Sequence, residues 1–384
     1  MLLIKNGKIF TMSDGILEGG SILIDKGKIV QISEEINSAA DEIIDAVGAW
    51  VTPGFVEAHC HIGIHQQDIG GEGVDINEAT DPVTPHLRAI DGINPMDTAF
   101  LDAVKAGITT VMTGPGSANV IGGQFVAMKT SGKCIDEMAI LEPAALKIAL
   151  GENPKRVYKG KNRMPSTRMA TAALLRETLI RAKNYKAKKE LALSKGDNFD
   201  IDIRMEAMIP VLDKNIPLKA HAHRADDILT AIRIAKEFDV RLTIDHCSEG
   251  HLIPEYIKEA GYPVIIGPTM TARSKVELKN KSFETYEQLH KFGVKFAIMT
   301  DHPVMPIQYL PICAGLASKY VLDVEEALKT ITINAAEICG VDDRIGSIEV
   351  GKDADIAIFS GNPMELASET LYTIIDGEIR YRRN

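Results

Sequence analysis

The 384-residue chain is predicted to be an α/β protein. The expected architecture is a (β/α)8 TIM-like barrel over residues 53–344, with a small β-sandwich built from both chain ends, residues 1–52 plus 345–384. Three observations predict it. The middle of the chain alternates apolar strand-like runs with helical periodicity, the mark of parallel α/β units. The two ends carry short strand-like runs cut by turns, and neither has enough strands to bury a face alone. Histidine, aspartate and lysine cluster at or near the ends of several apolar runs, where barrels of this kind keep their active sites.

Taken in order, Leu2–Ile4, Lys8–Met12, Ser21–Asp25 and Lys28–Ile32 read as strands, with Asn6-Gly7, Asp14-Gly15 and Lys26-Gly27 as turns. The run Trp50–Ala58 leads into His59-Cys60-His61. A helix over Pro95–Ala106 feeds the strand Ile108–Thr113, and the glycine-rich Gly114–Gly123 reads as a tight loop beside the active site. That loop lacks the G-x-G-x-x-G and Lys-Ser/Thr patterns of phosphate cradles. Lys147 lies inside the apolar run Ala144–Leu150. A long helix over Ser166–Lys195 opens on the N-cap candidate Pro165-Ser166-Thr167-Arg168, and its basic cluster Arg181–Lys189 reads as a solvated face. Helices over Asp226–Phe238, Glu284–Phe292 and Val324–Cys339 alternate with runs ending at His223, His246 and Asp301-His302. Gly346–Val350, Ala354–Phe359 and Leu371–Tyr381 complete the terminal unit.

Composition narrows the function. A net charge of −10 argues against a nucleic-acid or anionic-membrane surface. Five cysteines without C-x-x-C pairing read as reduced thiols. No signal peptide and no run of 18 apolar residues are evident, so the expected location is cytoplasmic. The expected partner is a small-molecule substrate, with no nucleic acid or membrane, and homo-oligomerisation stays open.

The chemistry lies in the histidines. An H-x-H on a strand puts both imidazoles on one face, because side chains alternate with period two. His59, His61, His221 and His246 with Asp301 form an N-rich set with one carboxylate, which suits zinc. One or two ions are expected, with Mn2+ or Fe2+ as alternatives. Asp301 is placed as ligand and general base, taking a proton from a water that the metal acidifies. His223 shares the barrel-facing side of His221 and is a further catalytic candidate. Arg273 and His251 are candidates for substrate contact, whereas Arg168, Arg224 and His290 read as surface groups. Lys147 in a buried strand is costly unless paired or neutralised. Pairing with Glu142 or Glu152 is its structural reading, and Glu152 itself is the rival candidate for a bridging metal ligand.

Pro53–His61 resembles the first-strand signature of the amidohydrolase superfamily, with Glu57 where that family usually has aspartate. Lys219–His223, Thr243–His246 and Thr300-Asp301 resemble its fifth-, sixth- and eighth-strand motifs, in that order. Gly346–Asp355 is similar to the segment that re-enters the β-sandwich. The resemblance spans about residues 2–381 and is nearest to the imidazolonepropionase- and prolidase-like branch, the branch resting on looser texture such as Gly151–Lys155. It implies a metal-dependent hydrolase of a C–N bond, amide or cyclic amide, in a small molecule, attacked by metal-activated hydroxide. It also implies a carboxylated Lys147 bridging two ions. The alternatives are deamination of an amino-heterocycle at the same site and, less favoured with every ligand present, a non-catalytic barrel scaffold.

Overall fold

The protein is described by a computed structural model over residues 1–67 and 69–383. The chain ends form one eight-stranded sheet. Its strands are β1 (Leu2–Phe10), β2 (Ile16–Asp25), β3 (Lys28–Ser33), β4 (Glu42–Asp45), β5 (Trp50–Pro53), β14 (Ile356–Phe359), β15 (Thr370–Ile375) and β16 (Glu378–Arg382). β5 joins the halves, lying parallel to β1 and antiparallel to β14. Val51, Ile356, Ile358 and Ile374 bury against Ile4, Ile9 and Ile22, so the apolar face is complete only when both ends are present. Gly346–Val350 does not form the expected strand, although Ile348 is buried in this core and donates its N–H to Thr11 O.

The second sheet runs β13-β12-β11-β10-β9-β8-β7-β6. Its members are β6 (Phe55–Cys60), β7 (Ile108–Thr113), β8 (Ile121–Lys129), β9 (Ala139–Ala149), β10 (Leu218–Ala222), β11 (Leu242–His246), β12 (Val264–Ile266) and β13 (Phe296–Ile298). The barrel is nearly closed, and the seam between β6 and β13 is bridged by Glu57. Its carboxylate accepts from Thr300 N–H at 2.8 Å and Thr300 Oγ at 2.6 Å, while His61 N–H donates to His302 O at 2.8 Å.

The sheet departs from an all-parallel barrel at one strand. β8 runs antiparallel to both β7 and β9, whereas the other pairs are parallel. A parallel return needs a crossover of a dozen or more residues. The links 114–120 and 130–138 are too short for one. Gly122 and Gly123 therefore lie in β8 rather than in a loop. Gly123 has φ +132°, and a Cβ there would meet Leu87 O at 2.6 Å.

Helices cover the outside of the barrel. The longest, Arg168–Lys195, is capped by Thr167, whose hydroxyl accepts Ala170 N–H, and ends on Gly196 in the left-handed region. Its basic face pairs outward, Lys186 with Asp213 and Lys189 with Glu206. The final helix is two, Val324–Lys329 and Ile333–Cys339. The hydroxyls of Thr330 and Thr332 bond back to Ala327 O and Leu328 O, competing with the helical ladder at the break. Among the described residues no helix is long and apolar enough to cross a membrane.

Candidate active site

The C-terminal strand ends open on a cavity of about 540 Å³ lined by His59, His61, Lys147, His221, His223, His246 and Asp301. β6 delivers His59 and His61 on one face, and β10 delivers His221 and His223 in the same way. The register pairs Lys147 with Lys219 and His221 with Asp245, so Asp245 faces inward alongside Lys219 and His221. Strict alternation would then turn His246 outward. It instead takes φ +71° where β11 ends, followed by Cys247 at φ +50°, and its ring swings into the cavity. Asp301 does the same past β13 at φ +55°. Left-handed backbone costs a non-glycine residue on the order of 1 kcal/mol or more, and such strain gathers at functional sites.

The rings are held from behind. His61 Nδ1 lies 2.7 Å from Gly114 O, His246 Nδ1 is 2.9 Å from Gly267 O, and His59 Nδ1 is 3.0 Å from Asp245 Oδ2. Carbonyls hydrogen-bonded to Nδ1 of His61 and His246, and the Asp245 carboxylate beside Nδ1 of His59, favour the proton there and leave the Nε2 lone pair facing in, the second contact that metal-binding histidines need. His59 Nε2 and His61 Nε2 stand 3.4 and 3.3 Å from Asp301 Oδ1. His221 is reversed, with Nδ1 inward at 2.8 Å from His246 Nε2. Ligand atoms of His59, His246 and Asp301, and of His221, His223 and His246, each lie within 4.8 Å of one another. This donor set, nitrogen-rich with one carboxylate, fits zinc.

Electrostatics follow from burial. Burial pushes His59 down to about 4 and holds His221, His223 and His246 below the usual imidazole range. These rings are neutral at pH 7, the form that ligates metals. Burial works to raise Asp301, but the adjacent His59 and His61 outweigh it and keep the carboxyl well below its ordinary range. Lys147 Nζ sits 3.4 Å from His59 Nε2 and 3.4 Å from Asp245 Oδ2, and burial draws it down to about 8.

An amidohydrolase family model matches residues 50–380. The chain belongs to the amidohydrolase family. A crystallised amidohydrolase from Thermotoga maritima is 45% identical, with all of each chain covered and a TM-score of 0.97. Imidazolonepropionase of Mesorhizobium japonicum is 24% identical over 96% of this chain and 93% of its own length. The amidohydrolase tasK of Hapsidospora irregularis is 27% identical over 94% of this chain, which spans 40% of that relative's length. The imidazolonepropionase-like affinity holds at this level; the prolidase likeness, at 19% identity and a TM-score of 0.63, is one of fold.

In this amidohydrolase the other expected residues lie elsewhere. Glu152 is half-buried at the start of a helix, outside the cavity lining and both ligand clusters, and meets the site through its backbone N–H, which donates to Glu277. Arg273 is exposed and turns its guanidinium to Lys281 O. His251 is tied to Thr285 Oγ at 3.0 Å. Neither lines the cavity. Arg168 and Arg224 pair with Asp227 and Asp226.

Three residues went unread. Asp245 meets His59, Lys147 and Lys219 at 3.0–3.4 Å. Alternation from Thr243 would have turned it inward. Lys219, on the inner face of β10, reaches Ala58 O at 3.0 Å. Glu277 comes from a connecting segment, where no local pattern marks it.

Proposed function

We propose that this amidohydrolase is a metal-dependent hydrolase cleaving the C–N bond of an amide or cyclic amide in a small molecule. The observation that carries the reading is the convergence of five buried histidines, Asp301 and Lys147 on one cavity. Its size suits a small ligand. His59, His61 and Asp301 would hold an ion on one side, and His221 and His246 on the other. Lys147 stands near both and would bridge two ions as its carbamate. Zinc is the expected ion, with manganese or iron(II) as alternatives. When bound, a divalent ion acidifies water and polarises a carbonyl oxygen.

The chain's own residues supply the rest. Asp301, held ionised, takes the proton of the attacking water and returns it to the leaving nitrogen. His223, neutral and 5% exposed, lines the substrate space beside His221. Asp245 keeps His59 oriented. Ile76, Pro268, Leu278 and Val304 line the outer cavity and limit water. Relatives named imidazolonepropionase and dihydroorotase support a small-molecule substrate.

The test has two parts. Elemental analysis after mild dialysis should find one or two divalent ions per chain, and a metal-free protein would end the proposal. A substrate screen on zinc- and manganese-loaded enzyme should then give amide or ring opening. Ammonia release from an amino-heterocycle, with no amide cleaved, would make it a deaminase.

A further inference from the structure

We propose that Glu277 is a positioning residue of this centre, its carboxylate fixing which ring nitrogen His221 turns toward the metal and orienting His223 beside it. The inference rests on the metal reading above. Glu277 lies in the segment between β12 and the helix Glu284–Lys291, yet it is 1% exposed. Its Oε1 has no hydrogen-bond partner and stands 3.6 Å from His221 Nε2, 3.7 Å from His223 Nε2 and 3.7 Å from Lys275 Nζ. At these separations the contact is electrostatic rather than a formed hydrogen bond. A buried carboxylate is costly without compensation, so the arrangement calls for positive ends of dipoles facing it.

The two rings supply those dipoles. His221 turns Nδ1 inward to His246, and a neutral imidazole that ligates through one nitrogen carries its proton on the other. That proton, on Nε2, points at Glu277. His223 has Nδ1 at 2.8 Å from Ser248 Oγ. With its proton also on Nε2, Nδ1 accepts the Ser248 hydroxyl and the ring is fully oriented. One carboxylate oxygen thereby biases both tautomers.

The backbone opposite is shaped to admit this carboxylate. Oε2 accepts Glu152 N–H at 3.0 Å. Gly151 beside it has φ +89°, and a Cβ there would approach Glu277 Oε2 to 2.7 Å. Only glycine leaves the space. The rival contact at His221 Nε2 is the amide Nδ2 of Asn153 at 3.3 Å, a donor that calls for a lone pair there, and the Oδ1 of the same amide is buried without a partner. Asn153 carries no charge, and its Nδ2 donates to Ser117 Oγ at 2.8 Å.

The test measures zinc affinity by chelator competition, alongside ¹⁵N-histidine spectra of the zinc-loaded protein, for wild type and for Glu277→Ala, Glu277→Gln, Gly151→Ala and Asn153→Ala. Glu277→Ala should weaken zinc binding roughly 10–100-fold and shift His221 and His223 away from the Nε2–H form. Glu277→Gln should lose less, since its carbonyl still accepts, and Gly151→Ala should reproduce part of the loss by displacing the carboxylate. Folded Glu277→Ala with wild-type zinc affinity and tautomers overturns the proposal. So does a tautomer shift in Asn153→Ala alone. If Glu277→Ala does not fold, unchanged affinity and tautomers in both Glu277→Gln and Gly151→Ala overturn it. Wild type binding no zinc would sink the metal reading, and this proposal with it.

Discussion

Lys129 and Lys147 lie on the neighbouring strands β8 and β9, are equally buried at 2% and 1% exposed, and have opposite surroundings. Lys129 ends the antiparallel strand at the foot of the barrel, where it meets the terminal sheet. Three carboxylates close on its ammonium, Asp353 at 3.1 Å, Asp355 at 2.7 Å and Asp376 at 3.1 Å. Burial pulls Lys129 down, but Asp355 and Asp376 outweigh it and hold its pKa above the usual lysine value. Lys147 faces the cavity and has one carboxylate at ion-pair distance, Asp245, shared with His59 and Lys219. Burial prevails there, and Lys147 falls to about 8. A buried lysine is therefore no mark of function in itself. An under-compensated one that opens on a cavity is, because it retains a reactive amine.

The sharpest break between the two clusters should come from the cavity side. Asp301→Asn should cut turnover roughly 10²–10⁴-fold, the span of a positioned acid–base group, while keeping most of the bound metal. His59→Ala should lose metal and activity together. Lys147→Ala should abolish any dependence of metal reconstitution on bicarbonate. Steady-state kinetics beside elemental analysis separates these outcomes, and Asp301→Asn at more than a tenth of wild-type turnover removes Asp301 from the role.

Lys129→Met should do the converse. It strands Asp355 in a buried site, while Asp353 keeps Lys28 and Arg344, and removing one partner of a buried ion pair costs about 3–5 kcal/mol. Denaturant unfolding of the metal-loaded protein measures it, and turnover of the folded fraction should be unchanged. A variant as stable as wild type would mean that the cluster contributes nothing to joining β8 to the terminal sheet.

Much of the site was legible because it obeys local rules. The H-x-H pairs at 59–61 and 221–223 follow from period two alone. His246 and Asp301 could be found as strand ends, although their left-handed backbone, which the chain does not advertise, is what aims them. The inverted β8 could have been read from a seven-residue link that no crossover fits. Lys147 was singled out for burial while Lys129 and Lys219, buried just as deeply, passed unnoticed. Their depth comes from the barrel foot and from strand register. Glu152 reads from the sequence as the rival bridging ligand, but the glutamate whose carboxylate stands beside His221 and His223 is Glu277, brought to Glu152 across 125 residues. Only tertiary structure makes that contact.

The smallest effect is expected at the other mouth of the barrel. A cavity of about 650 Å³, against about 540 Å³ for the histidine-lined one, lies among the N-terminal strand ends and is lined by Pro217, Arg241, Tyr262, Lys295 and Glu337. Its charges are satisfied where they stand. Lys295 pairs with Glu337, Lys258 donates to Gly293 O, and Arg241 donates to Lys214 O and Asn215 O. Lys295 is 53% exposed, and exposed pairs contribute only about 0–1 kcal/mol because water screens them. Lys295→Ala should shift the unfolding midpoint little and leave metal content and turnover at wild-type values. A tenfold loss of turnover would make this mouth part of the catalytic apparatus. Volume alone predicts the opposite ranking of the two cavities, so the single variant separates size from under-compensated buried charge as the property that marks the site.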